Sequence, residues 1–212
     1  MFGLHNHLLV MGDQFLEVVA PTREGTAGGR YLERRGGDGG YMVITQCEDR
    51  EFRDAHIAEL GVRTVLDFED EGFSNVQLHP KDTGGTFFEI DFQADDGWHP
   101  AGPDWAEHVK TDVTTAIEVA EIQAPDPAAL AARWCEIADI EPTTDEDGNV
   151  LMPMANAAVR FVTETDGRGE GLSGIDVRTV DRDKVIAVAQ ERGCIDDNGQ
   201  IVLGGLRVNL VG

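Results

Sequence analysis

One unit occurs three times in this chain and limits what it can fold into: a strand that runs to an aspartate, then a helix. The copies are YMVITQCEDREFRDAHIAELGVR (41–63), IEVAEIQAPDPAALAARWCEIAD (117–139) and SGIDVRTVDRDKVIAVAQERGCI (173–195). Asp49, Asp126 and Asp181 suit helix N-caps, because a short carboxylate can accept an N–H that the first turn leaves unbonded. Gly61 and Gly193 suit the left-handed position just past a helix, while the middle copy has no such glycine. Pro127 suits the first turn, where its missing N–H does no harm. Side chains meant for one helix face recur at helical spacing: Phe52, His56 and Leu60; Leu130, Trp134 and Ile137; Val185, Val188 and Ala189. His56 reads as a half-buried member of its stripe.

A second repeat carries a charge. Residues 14–19 read QFLEVV and residues 86–91 read TFFEID. Each follows a glycine turn, and each is preceded by a histidine-bearing strand, LHNHLLVM or NVQLHP. Side chains alternate along a strand, so Phe88, Ile90 and Phe92 face one way and Phe87, Glu89 and Asp91 the other. An uncompensated buried carboxylate is expensive. Glu89 is therefore exposed, paired, or turned into a cavity where it has a task, and Glu17 stands in the same position in the first repeat. His79 precedes Pro80, which ends a strand because it cannot donate to a ladder. The same histidine also stands where it could meet a ligand at a cavity mouth.

The element order follows. A hairpin is expected over residues 4–20, then strand, helix and about three strands over 41–93. A strand, a helix and further strands fill 117–163, and a strand, a helix and a final strand or hairpin fill 172–211. Residues 25–40 and 95–105 are rich in turn formers and read as connectors or as loops over a pocket. No GxGxxG follows a strand, and the strands come in antiparallel-looking runs, so repeated α+β modules fit better than a doubly wound sheet.

Composition removes several functions. Forty acidic against 17 basic residues give a net charge of −23, which opposes phosphate backbones and anionic membrane surfaces, so no nucleic-acid or membrane partner is expected. No apolar run reaches the ~20 residues of a membrane span, and the N-terminus lacks the pattern of a secretory signal, which makes a cytoplasmic location the expectation. Cys47, Cys135 and Cys194 are far apart and odd in number, as expected of reduced thiols. The GxSxG, Walker and HExxH patterns are absent, which leaves hydrolase, NTPase and zincin readings without support.

The segments GLHNHLLVMGDQFLEVVAP, YMVITQCEDREFRDAHIAELGVR, LHPKDTGGTFFEID and DPAALAARW resemble the glyoxalase-like branch of the vicinal oxygen chelate superfamily. HP-K-D-x-G-G before an aromatic strand with Glu is the most specific of these, and WHPAGPDW resembles a linker of tandem members. The resemblance implies an α+β fold of repeated βαβββ modules in curved mixed sheets, with the first module incomplete at its N-terminus. Residues 1–105 and 106–212 would each form a module pair. It also implies a cup for a small molecule, with metal ligands on the first and last strands of two modules.

The last-strand positions fall on Glu17 and Glu89. The first-strand positions fall near Met42, Val119 and Gly174, none of them a usual ligand. His5 or His7 could add an imidazole, and one Zn, Fe, Mn or Ni ion would suit such a set. Whether a histidine shares the face of Glu17 depends on the turn. A two-residue turn at Gly12-Asp13 sets Leu8 opposite Glu17 and puts Asn6 on its face; a three-residue turn sets His7 opposite.

Three readings stay open. One is a metal-dependent lyase, isomerase or dioxygenase. A second is a non-catalytic binder, of the kind that sequesters drugs. Its ligand would be cationic or hydroxyl-rich, held by Asn6, Phe15, Glu17, His79, Phe87, Glu89 and Trp98. In the third, both glutamates are merely ion-paired to Arg30, Arg34, Arg35 or Arg160. A sheet left open at one side implies pairing with another chain, so a homodimer is expected.

Overall fold

All three aspartates cap their helices. Asp49 accepts from Phe52 N at 2.9 Å, Asp126 from Ala129 N at 3.0 Å and Asp181 from Lys184 N at 3.0 Å. Gly61 and Gly193 take φ of +65° and +66° beyond their helices. The middle helix, which has no glycine there, ends on Asp139 at φ +53°, a conformation a short polar side chain tolerates better than most.

The structure is a computed structural model that describes residues 3–94 and 99–212. In chain order its elements are β1 (Leu4–Met11), β2 (Gln14–Pro21), α1 (Ala27–Arg35), β3 (Met42–Cys47), α2 (Arg50–Glu59), β4 (Thr64–Asp70), β5 (Phe73–Leu78), α3 (Pro80–Thr83) and β6 (Phe87–Gln93). Then come β7 (Thr114–Ala124), α4 (Pro127–Ala138), β8 (Thr143–Thr144), β9 (Val150–Pro153), β10 (Ala158–Thr163), β11 (Gly171–Thr179), α5 (Arg182–Glu191), β12 (Ile201–Leu203) and β13 (Leu206–Val211). This is the expected α+β arrangement with mixed sheets. The βαβββ order appears in full from β3 to β6 and from β7 to β10.

Residues 25–40, expected as a connector, contain α1. Thr26 caps it by accepting from Gly29 N at 3.0 Å, and Gly36 at φ +70° ends it. Two glycines weaken the helical signal in sequence, but Gly28 has a packing reason: a Cβ there would lie 2.9 Å from Leu4 Cδ2.

The chain forms two compact units, each discontinuous in sequence. The first is Met1–Tyr41, Asp104–Glu121 and Ser173–Gly212. In it β1 and β2 pair antiparallel with Met11 opposite Gln14, so the turn is the two-residue Gly12-Asp13. The Gln14 side chain meets both backbone groups of Ile117. β11 pairs parallel with β13, and β12 antiparallel with β13 through the turn Gly204-Gly205.

The second unit is Met42–Pro103 and Ile122–Leu172. Its four-stranded sheet has the order β3-β6-β5-β4, with β3 parallel to β6 and the other pairs antiparallel. β8, β9 and β10 form a further antiparallel run. The core is aromatic: Phe88 stacks on Trp134 at 4.3 Å, and the Trp134 ring meets Phe161 edge-on at 5.9 Å. Leu78, Ile122, Ile137 and Met152 are fully buried in the same unit. Arg53 ties α2 to the end of α4 by donating to Ile137 O at 3.1 Å. Among the described residues no helix is long and apolar enough to cross a membrane.

Candidate functional site

β6 is the strand on which the site is built. Its even-numbered Phe88 and Ile90 go into the aromatic core, so alternation sends Phe87, Glu89, Asp91 and Gln93 to the other face. The register supplies their neighbours. Glu89 has Ile44 of β3 on one side and Gln77 of β5 on the other; Asp91 lies between Gln46 and Asn75; Gln93 lies beside Phe73. One sheet face thus gathers two carboxylates and four amides. Glu89 is 5% exposed and Asp91 3%, whereas Ile44 and Gln46 on the adjoining strand are exposed. Two carboxylates two residues apart on one face repel each other, and burial strengthens that repulsion. Amide neighbours offset it, because they can donate to a carboxylate and still accept from a ligand.

Glu17 belongs to the other unit. The two-residue turn sets it opposite Leu8, and Asn6 Nδ2 donates to Glu17 Oε1 at 2.7 Å. Of the two registers open in sequence, the structure takes the one that excludes the histidines from this face. His5 and His7 alternate to the far side of β1, exposed, with ring centroids 5.4 Å apart. The partner of Glu17 is an asparagine, not one of the expected arginines.

The remaining candidates separate. Phe87 is half-buried on the Glu89 face. Phe15 meets Trp105 edge-on at 5.5 Å in the first unit. His79 caps α3, its Nδ1 accepting from Lys81 N at 3.1 Å, and this gives the ring a structural task. Trp98 lies outside the described residues.

The metal implied by the resemblance can be tested on the donors present. Beside Glu89 the first strand brings Ile44, with Met42 one pair away opposite Phe87, so the first-strand donor is missing. Beside Glu17 stand Leu8 and an asparagine amide already bonded to it. Among the described residues no group of three His, Cys, Asp or Glu side chains is placed to hold a metal ion. The residues present do not fit the implied histidine–carboxylate site, and no chemistry is derived through it.

The first unit has polar pairs of its own. Glu121 pairs with Arg207 at 2.8 Å and accepts from Ser173 Oγ, Asn209 donates to Asp176 at 2.8 Å, and Arg178 pairs with Glu118 at 2.5 Å. The hydrogen bond from Arg178 holds the Glu118 carboxyl below its ordinary range. Here opposite charges are paired with one another.

Sequence reasoning found Glu89 but passed over its amide neighbours. Asn75 and Gln77 alternate in FSNVQL and so share a face, a signal that was legible. Only the pairing register, which is non-local, shows that this face adjoins Glu89.

Comparison with known proteins agrees with this architecture. The glyoxalase-like domain family matches residues 1–138. The crystal structure of a hypothetical protein from Staphylococcus aureus is similar over 99% of this chain and 86% of its own, with TM-score 0.64 and 12% identity, and so shares the fold. A Streptomyces coelicolor methylmalonyl-CoA epimerase in complex with 2-nitronate-propionyl-CoA is 26% identical over 44% of this chain and 73% of its own, with TM-score 0.39. The Mycobacterium tuberculosis methylmalonyl-CoA epimerase is 23% identical over 44% of this chain and 65% of its own, also with TM-score 0.39. A search of curated proteins gives no match. With well over half of its length matched, this chain belongs to the glyoxalase-like domain family of the vicinal oxygen chelate superfamily.

Proposed function

We propose that this chain binds a small hydroxyl-rich or cationic organic molecule directly on the β6 face, with Glu89 as the principal contact. The observation that carries the reading is the register Ile44–Glu89–Gln77 and Gln46–Asp91–Asn75, with both carboxylates at or below 5% exposure. Hydroxyl groups can donate to carboxylates and accept from amides, and an organic cation can donate charge-assisted hydrogen bonds to a carboxylate. Phe87 adds an apolar wall on the same side. On this reading Glu17, with Asn6, is a second polar contact in its own unit. Turnover as a metal-dependent lyase, isomerase or dioxygenase would need a donor where Ile44 stands, and so the binding reading is preferred.

The test is titration calorimetry against a panel of polyols and organic amines, with metal content measured on the same samples. A ligand found in this way should bind Glu89→Gln about tenfold or more weaker, the loss expected for one charge-assisted hydrogen bond. Unchanged affinity in that variant overturns the assignment. A stoichiometric divalent metal that disappears in Glu89→Ala replaces it with the enzyme reading.

A further inference from the structure

The other side of the same sheet carries a cleft of about 310 Å³, within the second unit. Phe52, Phe88, Ile90, Ile140 and Met154 line it, together with Cys47 and Arg53. Because side chains alternate along β6, Phe88 and Ile90 of this cleft lie on the opposite side of that strand from Glu89 and Asp91; Gln46, at the end of β3, borders both. Half of its lining residues are apolar, and Thr45, Gln46, Glu48, Asp49 and Arg53 bring polar groups to the rest. About 300 Å³ is the lower end of ligand-site volumes and suits a molecule of about ten to twelve non-hydrogen atoms.

Arg53 sets the chemistry. One of its donors serves Ile137 O, and its guanidinium lies 5.5 Å from the Phe52 ring centroid. A guanidinium has five N–H donors in a planar fork, which matches a carboxylate. Two acids line the same cleft. Asp49 is committed to capping Phe52 N, and Glu48 is exposed. Thr45 donates to Glu89 O and is also committed.

We propose that this cleft is a second small-molecule site, for an aromatic or branched monocarboxylate whose carboxylate pairs with Arg53 while its hydrocarbon body rests on Phe52, Ile140 and Met154. It is independent of the reading of the Glu89 face. Cys47 serves as a reporter in the lining. Burial holds its thiol above its ordinary value, so alkylation by iodoacetamide is followed at about pH 9.

The experiment uses the full chain, with cinnamate as probe and cinnamyl alcohol as its neutral control. Labelling of Cys47 is read by peptide mass spectrometry, with Cys194 as internal reference. Saturating cinnamate should slow Cys47 labelling about fivefold or more and leave Cys194 unchanged. The alcohol should need about tenfold higher concentration for the same protection, and Arg53→Gln should abolish that difference. Met154→Trp, which fills the cleft and leaves the Arg53 side chain in place, should remove protection altogether. The proposal falls if cinnamate does not protect Cys47, if Arg53→Gln still discriminates acid from alcohol, or if protection survives Met154→Trp.

Discussion

The side-chain amide of Gln14 bonds the main chain of Ile117 in both directions. Ile117 N donates to Gln14 Oε1 at 2.7 Å, and Gln14 Nε2 donates to Ile117 O at 2.8 Å. One glutamine thus does for one residue of β7 what a neighbouring strand would do. Gln14→Leu should destabilise the protein by about 1–3 kcal/mol, since both backbone groups lose their partner in a half-buried place. Gln14→Glu should cost about as much, because the carboxylate keeps the acceptor but sets itself against a carbonyl oxygen. Urea unfolding checks both, and a Gln14→Glu variant as stable as the parent would show that the pairing is incidental.

Arg63 grips Asp82 with three donors: Nη2 at 2.6 Å, Nε at 2.8 Å and its own backbone N at 2.9 Å. These bonds hold the Asp82 carboxyl well below its ordinary 3.8. A carboxyl whose value is lowered by folding stabilises the fold fully above its unfolded value and loses that contribution as pH falls toward its folded one. The stability gap between the parent and Asp82→Asn should therefore be constant from neutral pH to about pH 5 and close progressively below pH 4. Urea midpoints at pH 7, 5 and 3 measure it. A gap that persists unchanged at pH 3 would mean that charge on Asp82 is not what Arg63 recognises.

Trp134 is fully buried, stacked on Phe88 with 3° between the rings. Trp134→Ala should cost about 3–5 kcal/mol through the cavity it leaves. Trp134→Phe should cost clearly less. The buried indole N–H has no hydrogen-bond partner among the described residues, so a phenyl ring gives up area but no bond. Thermal unfolding of the two variants tests the order.

Gly204 and Gly205 form the hairpin turn between β12 and β13, at φ +54° and +76°. A side chain at Gly204 would meet open space, so Gly204→Ala should cost about 1 kcal/mol, the left-handed penalty alone. At Gly205 a Cβ would lie 2.1 Å from Asp38 O, which is backbone and cannot swing away. Gly205→Ala should therefore cost at least about 1 kcal/mol more than Gly204→Ala, read from the difference in urea midpoints.

Local chemistry was the legible part of this sequence. The caps at Asp49, Asp126 and Asp181, the glycine stops at Gly61 and Gly193, and the alternation through β6 each depend on neighbours within a few residues. Where two local solutions were nearly equal, as at Gly12-Asp13, only the folded hairpin decided, and it set Asn6 rather than a histidine beside Glu17. α1 was hidden because Gly28 and Gly29 are poor helix formers; packing against Leu4 outweighs that. The short α3 was hidden because its cap is the ring nitrogen of His79, an unusual capping group. The partners of Glu89 were out of reach for another reason: Gln77 and Ile44 arrive by strand pairing, which composition does not encode.

The two-sidedness of β6 makes its length as critical as its chemistry. Inserting one residue after Thr86 would shift the strand by one position, swing both acids against the Trp134 indole and set Phe88 and Ile90 among the amides of the opposite face. The preceding glycines offer little slack, since a Cβ on Gly85 would already press on Ile122 and Leu130 at 3.1 and 3.2 Å. Homologues with a working version of this strand should thus vary in spelling but not in spacing between the double glycine and the acid.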